Sequence, residues 1–172
     1  MFKDRTAISK NQIALAGEFA ALSQLALRGY DANLTLGNTK SVDILLSHPE
    51  TESIYRLEVK THYNNKSYIS RDFGFIESHW RMSDKHEKIV DPKLFYCFVS
   101  IAKDTQSFDF YVVPSNIVAK FIQESHIYWV SKKDKKMVDT PIRSFMLGRK
   151  GEEYKIAMPL AEDYRGRWDL LK

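Results

Sequence analysis

The sequence predicts an α/β protein with a central mixed β-sheet flanked by helices, and three observations lead there. Ile13, Leu15, Phe19, Leu22, Leu25 and Ala26 recur at helical spacing near the start of the chain. The segments that follow read as strands, and both Ser41 to Leu46 and Ile54 to Thr61 place alternate residues on opposite faces. Leu94 to Ile101 is almost wholly apolar, as a strand buried on both faces should be.

Each element has its own signal. The helix covers about residues 9–28, and Gly29 after Leu27-Arg28 supplies its stop. Asp31 to Leu36 and Ser41 to Ser47 read as a hairpin around Gly37-Asn38-Thr39-Lys40, and Ile54 to Thr61 pairs next after the polar turn His48-Pro49-Glu50-Thr51. Tyr63 to His79 has no sustained period and reads as a long irregular segment of the kind that serves as a substrate loop. A short helix is expected from about Arg81 to Val90, broken by Asp91-Pro92.

The apolar strand at Leu94 is followed by a second strand, Phe108 to Val113, and by a helix opened by Pro114-Ser115-Asn116 that carries Ile117, Val118, Phe121 and Ile122. Ile127 to Val130 then reads as a strand, Lys132-Lys133-Asp134-Lys135-Lys136 as a basic turn, and Arg165 to Leu171 as a short terminal helix. The order helix, three strands, helix, strand, strand, helix suits a mixed sheet with helices on its faces.

With 172 residues, 44% hydrophobic and 13% aromatic, the chain is composed as one globular domain, its core over about residues 10–125 and a C-terminal elaboration over about 126–172. A formal net charge of +4 is a mild bias towards polyanionic partners. The charged start and the absence of any stretch of about 18 apolar residues predict a soluble, cytoplasmic protein with no membrane partner. Cys97 is the single cysteine, which excludes a disulfide framework and a cysteine-based zinc site.

The chemistry concentrates in a few acids and one lysine. Asp43 interrupts the apolar Val42-Asp43-Ile44-Leu45-Leu46, while Glu58 and Lys60, two apart in Leu57-Glu58-Val59-Lys60-Thr61, share one strand face. If the polar faces of the two strands coincide, Asp43 and Glu58 become cross-strand neighbours, roughly 4.5–5.5 Å apart at Cβ when directly opposed. Glu18 falls inside the apolar helical stripe, and a carboxylate placed there needs a partner. Hard oxygen ligands of this kind suit Mg²⁺ or Mn²⁺. Taken singly, a Glu-x-Lys strand is usually a solvated face; the conjunction gives it weight.

That conjunction resembles the PD-(D/E)XK nuclease superfamily, with its restriction-endonuclease-like fold and αβββαβ core. The matching positions are Glu18 in Gly17-Glu18-Phe19-Ala20, Asp43 in Val42-Asp43-Ile44, and Glu58 with Lys60 in Leu57-Glu58-Val59-Lys60-Thr61. The end of the helix, Leu27-Arg28-Gly29-Tyr30, is similar to the Holliday-junction-resolvase branch. Val42 stands where the family name has Pro, and no Gln-x-x-x-Tyr element is present.

The resemblance implies a metal-dependent DNA endonuclease that leaves a 5′-phosphate. It implies that Asp43, Glu58 and the Val59 carbonyl hold Mg²⁺, that Glu18 orients a metal-bound water or helps a second metal, and that Lys60 positions the nucleophilic water. Arg81, Lys85 and Lys88, on one side of the expected helix, are candidates for phosphate contacts. His86 is a candidate auxiliary acid-base group or a surface residue, and the five histidines show no i, i+4 metal-ligand pair. A homodimer is compatible with duplex cleavage, which needs two cuts. Two other readings stand beside this one: an inactive nucleic-acid-binding or assembly protein of the same fold, and an RNA-directed nuclease.

Overall fold

The computed structural model describes residues 8–35, 42–132 and 139–172. In chain order its elements are α1 (Lys10–Ala26), β1 (Asp31–Leu34), β2 (Ile44–Ser47), β3 (Ile54–Tyr63), β4 (Tyr68–Ser70), β5 (Gly74–Ile76), β6 (Ser78–Ser83), a 3₁₀ turn (Asp84–Lys88) and β7 (Leu94–Ile101). They continue with β8 (Phe108–Pro114), α2 (Ser115–Ser131), β9 (Ile142–Leu147), α3 (Ala161–Tyr164) and a 3₁₀ turn at Trp168–Leu170.

The frame is a mixed five-stranded sheet of order β1-β2-β3-β7-β8. The first three strands form an antiparallel meander, β3 runs parallel to β7, and β7 pairs antiparallel with β8. This central position explains the composition of β7, whose residues Leu94 to Val99 are all buried. On one face α1 packs Ala21 and Leu25 against Leu57, Val59, Cys97 and Val99. On the other, α2 and the β6–β9 ribbon cover Tyr96, Phe98 and Val113 with Phe121, Ile122, Trp80 and Phe145.

Helix α1 starts with a capping box: the Ser9 hydroxyl accepts the Gln12 amide, and the Gln12 side chain accepts the Ser9 amide. Its buried stripe is Gly17, Ala21 and Leu25, whereas Leu15 and Phe19 are 49% and 53% exposed. The reason is close approach. A Cβ on Gly17 would lie 1.9 Å from Thr61 Oγ1 on β3, so the small Gly17 and Ala21 face the sheet where the helix comes closest, while Leu15 and Phe19 are turned outward.

The crossover from β3 to β7 departs from the sequence expectation. Within the expected irregular segment, β4 and β5 form a hairpin. The helix expected over Arg81 to Val90 is instead the end of β6 followed by the 3₁₀ turn. Ser78, Trp80 and Met82 are buried while His79 and Arg81 are more open, which is strand alternation, and the pairing partner β9 lies far along the chain.

Ile127 to Val130 is the last turn of α2 and not a strand: no breaker separates it from the helix, and Tyr128 and Trp129 pack on the core. The expected terminal helix is reduced to the turn at Trp168–Leu170, which seats Trp168 in the core. The expected hairpin turn Gly37-Asn38-Thr39-Lys40 and most of the basic run Lys132 to Lys136 lie outside the described residues. Among the described residues no helix is long and apolar enough to cross a membrane.

Candidate active site

The site forms where β2 stops and β3 continues. The register pairs Ile44 with Leu57, yet the Asp43 amide also donates to the Leu57 carbonyl at 2.9 Å. Two residues therefore face one, the geometry of a β-bulge, which re-aims the side chain at its first position. Asp43 is not squarely opposite Glu58. Its Oδ2 instead accepts the Val59 amide at 2.7 Å, closing the ladder with a carboxylate in place of a carbonyl. An antiparallel strand residue directs its N–H and C=O to the same neighbour, so the Val59 carbonyl faces this edge too.

Glu58 is 2% exposed. Its Oε1 lies 2.6 Å from the Lys60 ammonium and 3.8 Å from His86 Nε2, while Oε2 is buried with no hydrogen-bond partner. His86 is itself buried, and its Nδ1 is 2.8 Å from the Tyr96 hydroxyl. The tautomer with hydrogen on Nε2 turns a donor towards Glu58 and lets Nδ1 accept from Tyr96. Burial lowers the His86 pKa to about 4 against the opposing pull of Glu58, so the ring is neutral at physiological pH. Burial, with Glu58 nearby, pushes the Tyr96 hydroxyl pKa up.

Glu18, half-buried beside Gly17, joins this group electrostatically. Burial and the Asp43 charge raise its pKa, and Lys60 opposes them. Burial also raises Asp43, countered by the Val59 amide and Lys60, while Glu58 pushes in the same direction as burial. The fold thus gathers Glu18, Asp43, Glu58 and Lys60, with Asp43 and Lys60 each acting on both glutamates or their neighbours. It does not bring Arg81, Lys85 and Lys88 onto one side of a helix. Arg81 projects from β6 into a cleft beside Lys60, whereas Lys85 and Lys88 belong to the 3₁₀ turn, where Lys85 is close enough to draw the Asp43 pKa down.

The donor set fits a divalent cation. Among the described residues no three His, Cys, Asp or Glu side chains already form a metal cage. Mg²⁺ does not need one, because it keeps several waters and binds through one or two carboxylates. The orphaned Glu58 Oε2 and the second oxygen of Asp43 are hard ligands of that type.

Sequence reasoning missed the buried His86–Tyr96 pair behind Glu58. The only signals were a histidine inside Lys85-His86-Glu87 and a tyrosine in an apolar strand, and neither reports burial or proximity. Trp80 and Trp168 are core residues, Trp80 donating to the Val99 carbonyl at 2.9 Å.

No protein-family model and no curated protein matches the chain. Among solved structures it is similar to that of a bacterial homing endonuclease, I-Ssp6803I, with 16% sequence identity and a TM-score of 0.50. The alignment covers 96% of this chain and 92% of that one. At this identity the likeness is one of fold: a central mixed sheet flanked by helices, shared with an endonuclease.

Proposed function

We propose that the protein is a metal-dependent endonuclease of the PD-(D/E)XK type that hydrolyses phosphodiester bonds in DNA. The observation that carries this reading is the convergence of Glu18, Asp43, Glu58 and Lys60 at the point where β3 outruns β2. The fold shared with a homing endonuclease supports it, and DNA is the substrate class that such a neighbour suggests.

Asp43, Glu58 and the Val59 carbonyl would hold Mg²⁺ or Mn²⁺, and Glu18 would orient a metal-bound water or help a second metal. When bound, the cation supplies Lewis acidity at a phosphoryl oxygen and a lowered pKa for water. The chain's own groups do the rest. The bulge and the Val59 amide fix the Asp43 carboxylate in the plane of the sheet. Lys60, whose ammonium lies 2.6 Å from Glu58 Oε1, would orient the attacking water and meet developing negative charge. Neutral His86, held by the Tyr96 hydroxyl, sets its Nε2 against Glu58 Oε1 and closes the back of that carboxylate.

A supercoiled-plasmid nicking assay in Mg²⁺ or EDTA tests the reading with wild type, Asp43→Ala and Lys60→Ala. Nicking by wild type in Mg²⁺ alone, lost in both variants, is the expected result. Nicking that survives either substitution, or that proceeds in EDTA, would sink it.

A further inference from the structure

We propose that the cleft beyond Lys60 is a second phosphate subsite, in which Lys10, His62 and Arg81 hold the phosphate next to the scissile one. The proposal rests on the nuclease reading for its ligand. It deepens that reading by assigning residues outside the acid cluster.

The geometry of β3 comes first. The strand extends to Tyr63, but β2 covers it only from Ile54 to Leu57, with Asp43 capping Val59. Among the described residues no strand continues along that edge. By strand period the Thr61 amide faces the same open edge as that of Val59, while Glu58, Lys60 and His62 share one face. Lys60 and His62 are therefore about 6.7 Å apart along the strand, comparable with the step between successive phosphates in a nucleic-acid chain.

Charge is segregated about Lys60. The cleft has a volume of about 570 Å³, and its wall carries Lys10, Lys60 and Arg81 with no carboxylate. Glu18, Asp43 and Glu58 are all absent from that wall. A polyanion is attracted to this side without help, whereas on the acidic side it needs a cation between.

His62 is fixed against the β6 backbone with one ring nitrogen left over. Its Nδ1 lies 2.9 Å from the His79 carbonyl, which can only accept, so Nδ1 carries the hydrogen and Nε2 remains for the cleft. Asn65 Nδ2 donates to the same carbonyl at 3.1 Å, and the His79 ring meets His62 edge-on at 4.8 Å between centroids. One polar atom of a residue in the cleft wall, His79 Nδ1, is buried with no hydrogen-bond partner, whereas Thr61 Oγ1 lies under α1 at Gly17, on the other face of β3. A buried polar atom left unpaired beside a cleft is a feature that a bound ligand or water accounts for.

The test measures fluorescence anisotropy of a labelled random-sequence DNA duplex in EDTA over a salt series. Lys10→Ala and Arg81→Ala are each expected to weaken binding. Because both cations serve one phosphate, the double variant should lower the log–log salt slope by only about 0.9 in total. His62→Ala should weaken binding roughly tenfold with little change in slope, as loss of a hydrogen bond to a charged group does. Lys120→Ala, on α2 and paired with Glu124, should change neither. All four substituted side chains are exposed or half-buried, and thermal melts check folding.

A double variant that loses about twice that slope, or a His62→Ala protein that binds as wild type does, overturns the subsite. Wild type that binds no duplex overturns it as well. Binding with the expected slopes but no Mg²⁺-dependent nicking overturns the hydrolytic reading and leaves the subsite standing. Nicking with unchanged slopes does the reverse.

Discussion

The carboxylate of Asp43 accepts the backbone amide of Val59 at 2.7 Å, so a side chain occupies the place of a ladder carbonyl at the end of β2. The arrangement holds a charge in a half-buried position next to two other acids, and the rise in the Asp43 pKa records the penalty. An acid whose folded pKa lies above its unfolded value destabilises the fold while ionised. The penalty is full above the folded pKa and vanishes as pH falls below the ordinary value of 3.8. Asp43→Asn keeps an acceptor for Val59 and removes the charge. It is expected to raise Tm at pH 7 while lowering nicking by a hundredfold or more, roughly the loss seen when one transition-state contact is removed. A variant that melts lower than wild type would contradict this.

His86 makes the opposite contribution. Its folded pKa of about 4 lies below the ordinary 6.5, so between those values the unfolded chain takes up a proton that the folded one refuses. Stability is therefore present above pH 6.5 and falls by about 3 kcal/mol as pH drops to 4. Urea unfolding across this range should show the loss in wild type and a flatter profile in His86→Gln.

Lys60 neutralises a carboxylate that has almost no access to water. Lys60→Ala should abolish nicking and also destabilise the protein by about 2–3 kcal/mol, because Glu58 is left charged without its cation. Adding Glu58→Gln should restore much of that stability and none of the activity. A Lys60→Ala protein as stable as wild type would mean that the pair contributes nothing to the fold.

Gly17→Ala brings a methyl to 1.9 Å from Thr61 Oγ1, well inside contact. Alanine favours the helix by about 1 kcal/mol, but overpacking of this severity outweighs it, giving a net loss of about 2 kcal/mol. Thr61→Ala should relieve most of the clash in the double variant. Since α1 also carries Glu18, nicking is expected to fall in the single variant beyond what its melting temperature explains.

The sequence carried the local part of this structure well. Helix α1, β7, β8 and the start of α2 follow from periodicity, apolar runs and Pro114, signals that need no distant partner. What it hid depended on long-range pairing. Strand β6 owes its conformation to β9, and without that partner its Trp-Arg-Met segment followed by charged residues reads as a helix. Ile127 to Val130 has strand composition, yet continuity with α2 decides its state. At the site, Glu18, Asp43, Glu58 and Lys60 were legible as residue types in an order. The bulge at Asp43 and the burial of His86 were not, because both arise from how strands end and cross.

The parallel pairing of β3 with β7 has a consequence for the order in which the protein is made. All four charged groups of the site are synthesised by residue 60, but the tyrosine behind Glu58 belongs to β7 and its histidine to the crossover. A nascent chain that has emerged only through β3 holds the reactive groups without the scaffold that sets them. On the proposed reading, the site is complete only once β7 has docked beside β3 and brought Tyr96 behind Glu58.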